Sequence, residues 1–166
     1  MGGCGGGPRH GLPPSSAAVQ RMGLEEVVAA LQAHWAVARV AEEACRQISS
    51  FVLSQDSNRQ QAVDSGALEA VVAAMKAHLQ VEMVQMRGCE ALYGMCHGSG
   101  YQVALRRQRA AEAGASEAIA AAVQAHPDEV TVRAVGRGLV LSRSPPVYAP
   151  DCDYCGPPPE CDTDYD

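Results

Sequence analysis

Hydrophobic positions recur at helical spacing along most of the chain, and one pattern returns three times. Each copy contains an alanine-rich amphipathic segment that closes on a histidine, over residues 22–34, 66–78 and 114–126. The closing histidines are 44 and then 48 residues apart. A repeat of this length is typical of stacked-helix solenoids, in which each unit buries its apolar face against its neighbours. The pattern therefore predicts an all-α fold.

A longer amphipathic segment follows each of these helices. The spacing of apolar residues predicts further helices over residues 37–53, 81–97 and 128–141. A shorter helix is predicted before the second and third copies, over residues 58–64 and 102–112. These two short helices end near Gly66 and Gly114, because glycine adopts the left-handed turn at low cost. The first copy shows no equivalent short helix.

The fullest copy is Asn58–Met75 followed by Val84–Leu92, and residues 39–48 and 107–115 repeat parts of the same template. This order of short helix, Gly-Ala, helix, turn and helix resembles the armadillo repeat family, in the alanine-rich form of algal and protist members. The resemblance implies an all-α, right-handed armadillo-like helical solenoid of about three repeats, some of them incomplete. It covers residues 22–142.

Composition divides the chain into three parts. Residues 1–21 are rich in Gly, Pro and Ser and are predicted to be a disordered leader, and residues 22–143 form the repeat domain. Residues 144–166 are predicted to be a disordered tail, which holds six acids and no base after position 150. The remaining chain has 13 bases and 13 acids. A body without a net basic face argues against nucleic acid as a partner.

The armadillo resemblance implies a non-catalytic scaffold, because in that family the third helices line a groove that usually binds a peptide or a partner protein. Helical spacing assigns the groove to Arg46, Gln47, Ser50, Glu90, Tyr93 and Gly94. The family's peptide-clamping Asn positions fall on Ser50 and Gly94, so a different groove chemistry is expected. Tyr93 is the expected anchor, since tyrosine offers a large rigid surface and a hydroxyl. The alternative places Tyr93 against the next repeat. Uncapped repeat ends are a second route to association, between copies of the chain.

The N-terminal residues suggest an alternative function. Gly2 and Cys4 resemble the start of a chain that is myristoylated and palmitoylated, although position six is Gly6 and not the favoured Ser or Thr. Acylation at both residues would make the protein a membrane-tethered armadillo adaptor, since stable anchoring needs two lipids. The competing interpretation is a low-complexity glycine leader. The expected location is the cytoplasm, with membrane association only if the N-terminus is acylated.

Candidate sites for chemistry are few, so we expect no enzyme activity and no cofactor. The three histidines would lie in a row about 10 Å apart, too far to share one metal ion, and are expected to meet free carbonyls at helix ends. Buried cysteines at equivalent positions, Cys45 and Cys89, are expected to pack as small apolar residues. A cluster of three cysteines in the disordered tail resembles half a zinc site and consists of Cys152, Cys155 and Cys161. A cluster of three arginines is expected to face solvent and consists of Arg106, Arg107 and Arg109.

Overall fold

The computed structural model describes the backbone of residues 11–141 and the side chains of residues 11–138. Every regular element in this part of the chain is an α-helix, which confirms the predicted all-α class. The helices in chain order are α1 (Ser16–Val19), α2 (Leu24–His34), α3 (Ala38–Ser54), α4 (Asp56–Asp64), α5 (Ala67–Ala77), α6 (Glu82–Cys96), α7 (Tyr101–Glu112), α8 (Ala115–Ala125) and α9 (Val130–Leu141).

The described helices form three units of three helices, which we call short, middle and long by their order in the unit, although α7 and α9 both have 12 residues. The units are α1–α3, α4–α6 and α7–α9, and each middle helix has 11 residues. Equivalent helices of successive units contact each other, since α5 touches both α2 and α8, and α6 touches both α3 and α9. An arrangement of this kind is compatible with an α-helical solenoid.

In the second and third units, the turn between the short helix and the middle helix depends on a glycine. Gly66 and Gly114 both have φ of 83°, a left-handed value that a side chain would strain. A Cβ atom at Gly66 would also lie 2.9 Å from Gln32 Nε2, and one at Gly114 would lie 3.0 Å from Lys76 Nζ. These glycines therefore allow the left-handed turn, and they also leave room for a side chain of the preceding unit to pack against the turn.

The core is continuous through the units and is made largely of small and branched side chains. Ile48 of α3 and Leu92 of α6 are both 0% exposed, as their repeat positions predict. Burial of one such side chain contributes about 1.5–3 kcal/mol to folding. Glycine allows the closest approach of long and middle helices, because a Cβ at Gly88 would lie 2.5 Å from Met75 Cγ. The same contact recurs 48 residues later, between Gly136 and Val123.

The first unit does contain a short helix, so the prediction that residues 1–21 are wholly disordered is wrong at its C-terminal end. Val19 in α1 is 0% exposed, and the Ser15 hydroxyl caps the helix by accepting from the Ala18 N–H at 3.2 Å. The reason lies in the repeat. Ala18 and Val19 precede α2 as Ala62 and Val63 precede α5, and all of these side chains except Ala18 are buried. Residues 1–10 and the acidic tail lie outside the described residues.

Candidate functional site

The exposed side of the three long helices carries a patch of apolar and polar residues, which we call the long-helix face. It is defined by Arg46, Ser50 and Leu53 on α3, Glu90 and Tyr93 on α6 and Gly138 on α9. Leu53 is 58% exposed and Tyr93 is 38% exposed. Tyr93 reaches α9, because its Cε2 atom lies 3.8 Å from the place of a Cβ on Gly138. The patch therefore extends across all three units.

Tyr93 is held in place by its own helix. Its ring lies over that of His97, with the two centroids 5.1 Å apart and the planes inclined by 45°. An aromatic contact of this kind, one helical turn apart, restricts the rotamers of both side chains. Tyr93 is thus an oriented, partly exposed aromatic residue, which matches neither a core side chain nor a freely moving surface one.

Arg46 and Gln47 lie on α3 as predicted, and both bond to the Glu43 carboxylate. Arg46 donates from Nε at 3.2 Å, and Gln47 donates from Nε2 at 3.3 Å. The hydrogen bond from Arg46 is the main cause that lowers the pKa of Glu43 below its ordinary value. With 40% of its side chain exposed, Arg46 presents a charge that is fixed in direction and largely balanced by its partner.

The equivalent positions on α6 carry the same ion pair with the signs reversed. Arg87 Nη1 lies 2.9 Å from Glu90 Oε2, and the two side chains are 28% and 31% exposed. Glu90 therefore occupies on α6 the repeat position that Arg46 occupies on α3. Ser50 on α3 is exposed and adds a hydroxyl group to the long-helix face. The polar part of the long-helix face is charged but close to neutral overall.

Gly94 is not an exposed groove residue, so this part of the predicted site is wrong. The residue is buried where α3 and α6 meet. A Cβ atom there would lie 2.5 Å from Val52 Cγ2, and 3.8 Å from Leu53 Cδ2. Gly94 occupies on α6 the repeat position that the exposed Ser50 occupies on α3. Because Gly94 has no side chain, the two long helices can approach each other there. A glycine inside a helix was the sequence signal for this contact.

The predicted solvent-facing arginine cluster is also wrong at one position. The Arg106 side chain is only 1% exposed, and its Nη2 donates to Asp56 Oδ1 at 3.0 Å. Arg107 donates from Nε to the Cys96 carbonyl at 3.2 Å, whereas Arg109 is 53% exposed and bonds to Asp64. The cluster separates because α7 packs on α6 and presents its arginines to different neighbours.

Two of the three repeated histidines join consecutive units. His78 Nε2 donates to the Trp35 carbonyl at 3.0 Å, and His126 Nε2 donates to the Leu79 carbonyl at 2.8 Å. Each acceptor directly follows the closing histidine of the previous unit. The nitrogen must carry the proton, because a carbonyl oxygen only accepts. For His78 and His126 this confirms the prediction that the repeated histidines meet free carbonyls, and it adds that the carbonyl belongs to the neighbouring unit.

Cys45 and Cys89 pack in the core as predicted, both at 0% exposure. Burial raises the pKa of each thiol to about 12, and that of Cys96 to about 11. Within the described part of the chain, no group of three His, Cys, Asp or Glu side chains could hold a metal ion. The cysteines of the tail, Cys152, Cys155 and Cys161, lie outside that part.

Acylation of Gly2 and Cys4 stays a prediction, because both residues fall outside residues 11–141. Among the helices that the structure describes, none has both the length and the apolar character needed to cross a bilayer. No protein-family model, curated protein or solved structure matches the chain. Its function must therefore be inferred from its own residues and geometry.

Proposed function

We propose that the protein is an armadillo-like solenoid that acts as a non-catalytic scaffold. Its long-helix face would bind an extended segment of a partner protein, in the groove that stacked third helices form in a right-handed solenoid. The observation that carries this proposal is the position of Tyr93. It is oriented by His97, reaches α9 and keeps 38% of its surface exposed.

The composition of the long-helix face supports a peptide as the ligand. Rigid aromatic residues lose little conformational entropy when they are covered, and they are common among the residues that dominate binding energy. Leu53 adds a second exposed apolar side chain on the neighbouring helix. The two reversed ion pairs, Glu43 with Arg46 and Arg87 with Glu90, place charges of both signs on the same two long helices. Charges of both signs suit the dipoles of an extended backbone better than a ligand of one charge.

The experiment is a capture assay with the full chain and a matched tyrosine control. Tyr93→Ala removes the anchor, and Tyr101→Ala removes a tyrosine that is 66% exposed on α7, which is not one of the long helices. Proteins from the native cell are captured on wild type and both variants and identified by mass spectrometry. We expect a set retained by wild type and Tyr101→Ala but weakened by Tyr93→Ala, by about 1 kcal/mol or more in binding free energy when a retained partner is titrated.

The stability of each variant separates binding from folding. Tyr93 is partly exposed, so we expect Tyr93→Ala to keep its helical circular dichroism and to melt within a few degrees of wild type. A partner segment that binds Tyr93→Ala as tightly as wild type would refute the long-helix face as the binding surface. Loss of folding in Tyr93→Ala would identify the residue as part of the core.

A further inference from the structure

An open cavity of about 540 Å³ lies at the N-terminal end of α7. Its wall includes the loop of residues 98–100, the first turn of α7 and three charged side chains. Those side chains are Arg106 from α7 and Asp56 and Arg59 from α4. Two arginines thus meet one carboxylate at a helix N-terminus, which gives the cavity an excess of positive charge.

Arg106 is the most unusual side chain in this cavity. It is 1% exposed, yet only Nη2 is bonded, to Asp56 Oδ1 at 3.0 Å. Its Nε and Nη1 atoms are buried and have no hydrogen-bond partner among the described residues. A buried charge with unpaired donors is costly, so such groups in proteins normally meet an anion, an acceptor or water. Arg106 therefore keeps two donors without an acceptor at the wall of the cavity, and an anion would reach this guanidinium in place of the Asp56 carboxylate.

Arg59 and Asp56 complete the charged wall. The Arg59 side chain is 18% exposed, and its Nη1 lies 3.3 Å from the same Asp56 Oδ1 atom that Arg106 contacts. One carboxylate oxygen consequently serves two guanidinium groups. Asp56 is 67% exposed, so its charge is well solvated, and it can turn outward when a stronger acceptor enters.

The backbone adds to the positive potential of the cavity. α7 has 12 residues, and its N-cap is Gly100, which offers no side chain to cap the helix. No acidic residue lies in its first turn. The first N–H groups of a helix have no intrahelical acceptor, and the helix dipole places partial positive charge there. Helix N-termini with these properties bind phosphate groups in many proteins.

We propose that this cavity binds a phosphate-class dianion, with Arg106 as its principal donor and Asp56 as an internal competitor. A guanidinium group matches two phosphate oxygens at once, and the free N–H groups of α7 can reach the same ion. Free phosphate and a phosphate monoester share this chemistry. Tyr101 at the rim is 66% exposed and would contact the organic part of an ester.

The test is an NMR titration of the full-length protein with inorganic phosphate at constant ionic strength, followed through the amides of residues 101–103. Three variants separate the roles of the charges. Arg106→Met should weaken binding about tenfold or more, because it removes the buried donor. Asp56→Asn should tighten binding several-fold, because it removes the competing carboxylate. Arg109→Gln is the control, since Arg109 pairs with Asp64 outside this cavity, and should bind within about twofold of wild type.

The opposite effects of two substitutions make the proposal easy to refute. Absence of amide shifts in wild type at millimolar phosphate would overturn it, as would equal affinity of wild type and Arg106→Met. If Arg106→Met does not fold, Asp56→Asn decides, and unchanged or weaker binding by that variant overturns the proposal. Phenyl phosphate in place of phosphate distinguishes the sources, because tighter binding indicates an ester and equal binding indicates the free ion. Tyr93→Ala should bind phosphate normally, which keeps this test separate from the partner assay.

Discussion

Gly94 offers the sharpest test of how closely the long helices pack. Replacing it by Ala adds one methyl group on the side of α6 that faces α3. That methyl would lie 2.5 Å from Val52 Cγ2, well inside van der Waals contact. Val52 is 0% exposed, and a β-branched side chain in a helix has one strongly preferred rotamer. It cannot turn aside, so α3 and α6 must separate locally.

The magnitude follows from two opposing effects. Ala is a better helix former than Gly by about 0.8–1 kcal/mol in a helix interior, and less near the end of α6. Overpacking a core by one methyl group costs about 1–3 kcal/mol, with stiff neighbours at the upper end. We therefore expect Gly94→Ala to lower the free energy of unfolding by about 2 kcal/mol. Gly138→Ala is the control, because its nearest atom, Tyr93 Cε2, is 3.8 Å away and leaves room.

Urea denaturation followed by circular dichroism measures all of these variants. Gly138→Ala should be neutral or more stable by up to about 1 kcal/mol, since only helix propensity changes. Val52→Ala should restore space in the Gly94→Ala background, so the double variant should be less destabilised than the sum of the singles by about 1 kcal/mol or more. Equal stability of Gly94→Ala and wild type, or additive losses in the double variant, would refute the close contact between α3 and α6.

Two further predictions concern the histidines and the cysteines. His78→Ala and His126→Ala should each lower the free energy of unfolding by about 1 kcal/mol, since each removes one hydrogen bond between units, whereas His34→Ala should change it by less than about 0.5 kcal/mol. Urea denaturation compares the three, and an equal loss from His34→Ala would contradict the inter-unit role. Because burial raises the pKa of Cys45 and Cys89 to about 12, both thiols stay protonated at about pH 8 and should resist iodoacetamide until the chain unfolds. Peptide mapping of native and urea-treated protein checks this, and rapid native labelling would show that the core opens.

The fold class could be predicted from the sequence because the same helix and turn signals recur in each repeat. Apolar residues at helical spacing predict the middle and long helices, and Gly66 and Gly114 mark the left-handed turns that separate them from the short helices. The sequence pattern does not predict α1, because only Ala18 and Val19 match its repeat template, next to a Gly- and Pro-rich stretch. Its formation depends on tertiary contacts with α3, which local propensity does not encode.

Helical spacing predicts which residues of the candidate site share a face, but not how that face is packed. Helical spacing places Arg46, Ser50 and Tyr93 on one side of the long helices, because a 3.6-residue period fixes which residues share a face. It cannot show where two helices approach most closely, so helical spacing alone places Gly94 on the surface. Burial of Arg106 depends on Asp56, a residue 50 positions earlier in the chain. An ion pair between distant helices leaves no periodic signal in the sequence.

The lengths of the connections between units have a consequence for insertions. Arg59 bonds to the carbonyl of a residue seven positions earlier, at the end of α3, and Arg107 bonds to one 11 positions earlier, at the end of α6. The connection is one residue long between α3 and α4 and four residues long between α6 and α7, yet the arginine reaches the equivalent carbonyl in both places. The bond from the short helix therefore fixes where that helix docks, whatever the length of the loop before it. Natural or engineered insertions in this connection should enlarge the loop around the α7 cavity while the stacked helices stay as they are.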